Sequence, residues 1–365
     1  MVAINLVSVI NRQHNVPLLP SLIILSVSWI PKDHSIIALS FDISKAFDTV
    51  CHDTLLATLY SLGLPSNFIN IMKSYLQNRL QRVKYKSYCS DILPITSGVP
   101  QGSVLGPLLF NLYIASLVPS DSTTLSFKYA DDTTFVLSIP NNRNVHEIIS
   151  EEIKHVKRWC LAHGLSLNDS KTKILPFTNN TSLNQPINFD NLSNYVVNHI
   201  KIVGYTIDIN LQWSKHINDM IVKISRRLYL LRLLKYSLNK KHLINIYQGL
   251  VQSLIDYILP IYCSLSNKDL NKIEHIIKRS HNIICGITCK KNCLPNLNIR
   301  LTQLTHNLFN KVKNDDSHIL YPLLPQISTR SSRFILPHVP SNRYLNSFFI
   351  QGAIQFNSTR ANNLV

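Results

Sequence analysis

Two short apolar runs, Leu125–Tyr129 and Thr133–Ile139, are separated only by Ala130, Asp131 and Asp132. So short a connection admits an antiparallel hairpin, because a parallel pair needs a crossover of about a dozen residues or more. It also places two carboxylates at the hairpin tip. A third run, Ile36–Phe41, is almost unbroken and reads as a buried strand, with Asp42 at its C-terminal end. Acidic residues are scarce in this part of the chain, so three of them at strand ends stand out. Such carboxylates can coordinate hard divalent cations such as magnesium. Two such ions roughly 3.5–4 Å apart can activate an attacking hydroxyl and stabilise a leaving oxygen. Asp is also common in turns, and an Asp-Asp turn taken alone favours that plainer reading.

The intervening sequence supplies helices. His52–Leu62 carries an apolar stripe of Leu55, Leu56, Leu59, Tyr60 and Leu62, with Gly63 and Pro65 as stop signals. A second helix lies near Asn67–Leu76. Arg82–Tyr88 alternates basic with apolar residues and reads as an edge strand. Ser97–Gly106 is rich in turn residues, and Leu108–Leu117 reads as a buried helix. Val145–Cys160 is amphipathic and helical. Thr178–Leu192 reads as a loop or linker, and Ile200–Ile209 as a strand. Helices dominate from Ser214 to about Ile287; beyond Cys293 the chain is rich in Pro and Asn and shows no clear period. The fold class is therefore α+β: an antiparallel sheet with helices on one face, followed by a basic helical region.

Charge sharpens that division. The chain has 37 Lys and Arg against 20 Asp and Glu, a net charge of +17 over 365 residues. Residues 1–140 are nearly neutral, so almost all of the excess lies beyond them. A basic half implies a polyanionic partner or plain solubility charge. Seven cysteines, an odd number without a disulfide spacing, imply a reducing, intracellular location, with nucleus and cytoplasm not distinguished. Cys285, Cys289 and Cys293 recur every four residues, a spacing read as coincidence because no tight pair accompanies it. Leu18–Ile30 is apolar but too short for a span of about 20 residues, and no membrane partner is expected.

Four motifs change the weight of these readings. Phe41-Asp42-Ile43-Ser44-Lys45-Ala46-Phe47-Asp48-Thr49-Val50 resembles the first palm motif of reverse transcriptases from non-LTR (LINE-like) retrotransposons. The run Ser97-Gly98-Val99-Pro100-Gln101-Gly102-Ser103, continuing to Phe110, resembles the next. Tyr129-Ala130-Asp131-Asp132 resembles the catalytic hairpin, and Leu167-Asn168-Asp169-Ser170-Lys171-Thr172 the motif after it. All four stand in family order. Gly204-Tyr205, Trp213-Ser214 and Asp256-Tyr257 also resemble the family's connecting and thumb segments.

The resemblance implies roles. Asp42, Asp131 and Asp132 become the metal-binding triad for two magnesium ions, with manganese as a substitute; Asp42 and Asp131 are its main ligands. Lys171 approaches the leaving pyrophosphate. Phe47 lies under the incoming sugar and disfavours a 2′-hydroxyl. Gln101 and Gly102 lie beside the templating pair, where glycine permits close backbone approach. Asp48 supports structure, as a helix N-terminal cap. Lys223, Arg226, Arg227, Arg232, Lys235, Lys240 and Lys241 present cations to phosphates, while Leu228, Leu230, Leu231, Leu233 and Leu234 form the apolar side of their helix. The partners implied are an RNA template, a DNA primer and deoxynucleoside triphosphates.

The expected organisation is 1–35 as a remnant of fingers, 36–177 as palm and 178–212 as linker. A thumb-like domain follows at 213–290, and a C-terminal extension at 291–365. Little sequence precedes Asp42, so most of the fingers and the endonuclease of the family are expected to be absent, or to come from a partner. The function expected is RNA-directed DNA synthesis; the alternative is an inactive remnant that binds nucleic acid through its basic half.

Overall fold

A computed structural model describes residues 34–177, 189–286, 293–316, 318, 321–328, 332–336, 345 and 347–362. Leu18–Ile30, residues 178–188 of the expected linker, and Cys289 lie outside the described residues. The chain divides into two compact units, one within Lys32–Asn198 and one within His199–Val365.

In chain order the first unit contains β1 (His34–Ser44), α1 (His52–Ser61), α2 (Ser66–Leu76), and the short strands β2 (Leu80–Gln81), β3 (Lys84–Tyr85), β4 (Tyr88–Cys89) and β5 (Leu93–Pro94). Then come α3 (Leu105–Tyr113), β6 (Leu125–Tyr129), β7 (Asp132–Pro140), α4 (Val145–Ala162), β8 (Ser166–Leu167) and β9 (Lys173–Phe177). The main sheet runs β6-β7-β1-β8, and β9 also pairs with β1. All of these pairings are antiparallel. β1 is thus paired on both edges, which is why its sequence is an almost continuous apolar run rather than an alternating one.

Register decides which side chains meet the helices. Ile37 lies opposite Leu137, and Leu39 opposite Phe135. These side chains share a core with Phe41, Leu55, Leu59, Phe110, Tyr113, Ile149 and Val156. The rings of Phe41 and Phe135 meet edge-on at 5.4 Å. Each such side chain contributes about 1.5–3 kcal/mol on full burial, so the sheet–helix core anchors everything built on the ends of β1 and β7.

Two expected elements differ. Arg82–Tyr88 is not one edge strand but part of an exposed hairpin, in which β3 pairs with β4 around Lys86 at φ 53°. α3 begins at Leu105, earlier than the expected helix, because Pro107 falls in the first turn, where a missing N–H costs nothing.

The second unit opens with β10 (His199–Ile202) and β11 (Tyr205–Asp208), an antiparallel pair where a single strand was expected. Val203 and Gly204 turn the chain with φ 45° and 85°, the two positive values a type I′ hairpin requires. Then come α5 (Ser214–Leu234), α6 (Lys240–Tyr247), α7 (Asn267–Cys285), α8 (Leu297–Lys313) and α9 (Phe348–Asn362), with short helical turns between α6 and α7. Asn239, Ser266 and Asn296 cap α6, α7 and α8 by accepting backbone N–H bonds. No helix among the described residues is long and apolar enough to cross a membrane.

An aromatic stack joins the hairpin to its helices. Tyr205 packs on Tyr257 at 4.8 Å and on His216 at 5.1 Å, and the Tyr257 hydroxyl donates to the Val203 carbonyl at 2.7 Å. Burial pushes the His216 imidazole down to about 4. The unfolded chain, with an ordinary pKa near 6.5, therefore takes up a proton that the folded unit resists. Stability is complete above about pH 6.5 and falls as pH drops towards 4, by on the order of 2 kcal/mol at pH 5. His216→Phe is expected to flatten that slope in thermal melts of the chain between pH 7 and 5; an unchanged slope would assign the acid sensitivity to other groups.

Candidate functional site

The β1–β7 ladder ends by pairing Asp42 with Asp132. Directly opposed residues of an antiparallel pair share a face, so two like charges stand side by side, an arrangement that favours a cation between them. Asp131 occupies the two-residue turn between β6 and β7. Ala130 before it takes φ 52°, where a Cβ costs about 1 kcal/mol. The three aspartates therefore lie at one end of adjacent strands. The Lys171 ammonium stands 3.3 Å from the Asp42 carboxylate. It is carried there by the loop after β8, in which the Asn168 N–H donates to the Asp42 carbonyl at 2.8 Å, and Lys171 and Thr172 donate to the Asn168 carbonyl.

The segment after Asp42 is latched to the turn-rich loop. The Gly98 N–H donates to the Val50 carbonyl and the Val99 N–H to the Phe47 carbonyl, each at 2.8 Å. The Ser97 hydroxyl donates to the Asp48 carbonyl at 3.1 Å, and His52 Nε2 is 2.8 Å from the Gly98 carbonyl oxygen. Gln101 Nε2 donates to Asp48 Oδ1 at 2.7 Å. Asp48 is thus a cross-loop acceptor and not the expected helix cap; Cys51 stands at the N-cap of α1 and makes no side-chain cap bond. Phe47 is half-buried, its ring 4.6 Å from that of Phe110. Gly102 needs glycine for its φ of 80°, and not for space within this chain: a Cβ built there meets nothing within 4 Å.

In the second unit the basic helix departs from the expected pattern. Ile217, Met220, Ile224, Leu228 and Leu231 form the buried stripe of α5, whereas Leu230 and Leu233 are exposed. The helical period explains this: from Leu228 only the position three residues on stays on its face, while Leu230 and Leu233 turn outward with Arg226 and Tyr229. Lys223, Arg226, Arg232, Lys235 and Lys241 are exposed. Arg227 is half-buried and donates from Nη1 to the Leu250 carbonyl at 2.5 Å, so its charge ties α5 to the turn after α6. Lys240 hydrogen-bonds the Cys293 sulfur and also interacts with Cys285, which raises the pKa of its ammonium.

One supporting residue was missed. Lys128 on β6 is buried and donates from Nζ to the carbonyls of Ile114 at 2.9 Å and Ala115 at 3.2 Å. It fastens the strand leading to the Asp131 turn onto the end of α3. Burial pulls its pKa down to about 8. A lone lysine inside an apolar strand was the signal available for it.

Comparison with known proteins addresses the same elements. The family model for reverse transcriptase (RNA-dependent DNA polymerase) matches residues 9–207. The RNA-directed DNA polymerase from mobile element jockey of Drosophila melanogaster is 29% identical over 260 residues, covering 67% of this chain and 28% of that protein. The probable RNA-directed DNA polymerase from transposon X-element of the same species is 25% identical over 256 residues, covering 68% of this chain and again 28% of its own length. This chain thus spans little more than a quarter of those relatives. Telomerase from Candida tropicalis, solved with the TWJ fragment of telomeric RNA, superposes with a TM-score of 0.43 at 12% identity, covering 86% of this chain and 52% of that one. With the family model spanning more than half of its residues and the four motifs assembled at one end of the sheet, the chain belongs to the reverse transcriptase (RNA-dependent DNA polymerase) family, and its reverse transcriptase domain is LINE-like.

Proposed function

We propose that this chain carries out RNA-directed DNA synthesis, adding deoxynucleotides to a primer 3′-hydroxyl on an RNA template. The observation that carries the reading is the β1–β7 register, which sets Asp42 against Asp132 beside the Asp131 turn. The donor set suits hard divalent cations: it is all-oxygen and acidic, with the Lys171 ammonium 3.3 Å from the Asp42 carboxylate. Asp42, Asp131 and Asp132 would hold magnesium or manganese, which when bound supplies activation of the attacking hydroxyl and charge neutralisation at the phosphates. In the reaction the primer oxygen bonds to the α-phosphorus as the α–β phosphoanhydride breaks and pyrophosphate leaves. Lys171, exposed and 3.3 Å from the Asp42 carboxylate, would swing towards that leaving group and neutralise it. Phe47, braced by Phe110, would stand under the sugar and exclude a 2′-hydroxyl. Gln101, held by Asp48, and Gly102 would line the templating position.

The exposed cations of α5 would track the phosphates of the template–primer duplex, a contact indifferent to sequence. Replacing Lys223, Arg226 and Arg232 by Gln is expected to weaken duplex binding and to lower the slope of log affinity against log salt by roughly 3. Arg227→Gln should instead lower thermal stability, since its guanidinium serves a carbonyl. An unchanged salt slope in filter binding or anisotropy would exclude that face.

The test of the main reading is primer extension by the purified chain on poly-rA with an oligo-dT primer, dTTP and magnesium or manganese. Extension that is lost in Asp131→Asn is the expected result. A folded chain that binds the duplex but never extends the primer would overturn it in favour of a nucleic-acid-binding remnant.

A further inference from the structure

The last turn of α7 carries His281 and Cys285, four residues apart and therefore on one face of the helix. Cys293, at the start of the segment leading into α8, returns to that face. One donor atom from each of His281, Cys285 and Cys293 lies within 4.8 Å of the other two, and all three residues are half-buried. This is the one set of three or more His, Cys, Asp or Glu side chains so gathered among the described residues. Two of the three cysteines in the four-residue repeat, Cys285 and Cys293, thus stand together with a histidine that the repeat left out.

The donor chemistry selects the ion. Two sulfurs and one imidazole nitrogen suit zinc, whereas magnesium and calcium prefer oxygen. Around a tetrahedral zinc, ligand atoms sit about 2.0–2.3 Å from the metal and hence about 3.5–3.8 Å from each other. Closing from within 4.8 Å to that spacing is a shift of about 1 Å. A Cys285–Cys293 disulfide is the competing chemistry. It would need an oxidant, and neither cysteine forms a disulfide in the structure.

We propose that His281, Cys285 and Cys293 bind one zinc-class divalent ion, with a fourth position open to water or another donor, and that this ion fastens the end of α7 to the chain entering α8. It is chemically separate from the all-oxygen end of β1 and β7 and does not depend on polymerase activity. Because the three ligands come from the last turn of α7 and from the residues just before α8, the ion acts as a staple between those two ends.

The test uses the full chain, free of any affinity tag, purified in a thiol-free phosphine reductant and titrated with Co(II). The expected result is one equivalent bound, with near-ultraviolet thiolate-to-cobalt charge transfer and the visible bands of a tetrahedral ion, both erased by added zinc. The C285S/C293S double variant should bind at least about 100-fold more weakly. Cys89→Ser, at an exposed cysteine on β4, should bind as the parent does. The wild-type spectrum decides the matter even if the double variant folds poorly. Absence of thiolate bands, binding unaffected by loss of both cysteines, or a Cys285–Cys293 disulfide in the reduced preparation would each overturn the proposal.

Discussion

Asp42→Asn is expected to lower metal-dependent primer extension by about 10³-fold or more while leaving the melting temperature unchanged or slightly higher. The amide keeps the size and shape of the carboxylate but removes the charge that would hold a divalent ion. The fold has little to lose. Asp42 is partly exposed, and its ion pair with Lys171, whose side chain is 64% exposed, adds little to stability. The substitution also relieves the like charges opposed at the Asp42–Asp132 position of the ladder. The loss should therefore appear in kcat at saturating primer and nucleotide, with duplex affinity retained. Asp132→Asn is expected to be the milder of the two, since Asp42 and Asp131 are the main ligands in this reading. Equal loss in Asp132→Asn would promote Asp132 to a full ligand, as its direct pairing with Asp42 suggests. Undiminished extension by Asp42→Asn would remove β1 from the catalytic centre altogether.

What was legible in the sequence follows from how far each signal reaches along the chain. The β6–β7 hairpin could be read because its turn is too short for any other connection, and β1 because a strand paired on both edges is apolar throughout. In the two missed hairpins Lys86 and Val203 are residue types that rarely adopt positive φ and so carry no turn signal, and Gly204 beside Val203 was the one turn residue to read. The buried side of α5 was misjudged because five leucines in seven residues, taken together, obscure the helical period that separates Leu231 from Leu230. Arg227 and Lys240 looked like free cations because their partners, the Leu250 carbonyl and the Cys293 sulfur, are distant in sequence. Asp48 looked like a helix cap for the same reason, since Gln101 and Ser97 approach it from another loop. Local pattern gave the elements; contacts made across the fold decided what individual polar side chains do.

Gly98→Ala tests the contact on which the candidate site most depends. A Cβ at Gly98 would lie 2.8 Å from the Asp48 carbonyl oxygen, 2.9 Å from its Cα and 3.0 Å from its carbonyl carbon. These are backbone atoms, so no side-chain rotation can relieve the clash. The φ of 87° adds a conformational penalty of about 1–2 kcal/mol for any L-residue. The two loops must separate, and with them go the Gly98–Val50 and Val99–Phe47 hydrogen bonds that set Phe47 and the segment after Asp42. The expected cost is on the order of 3–4 kcal/mol, which in a unit of this size lowers the melting temperature by roughly 6–15 °C. Gly102→Ala is the matched control: its φ of 80° carries the same conformational strain, but nothing lies within 4 Å of the added methyl. It should cost only that conformational penalty, about 1–2 kcal/mol. Comparable melting temperatures for the two variants would show that the latch yields to a methyl group, and that Phe47 and Asp48 are positioned by the sheet–helix core instead. A much larger loss in Gly98→Ala, with extension failing below the melting transition, would show that the close approach of two backbones shapes the pocket in which the aspartates act.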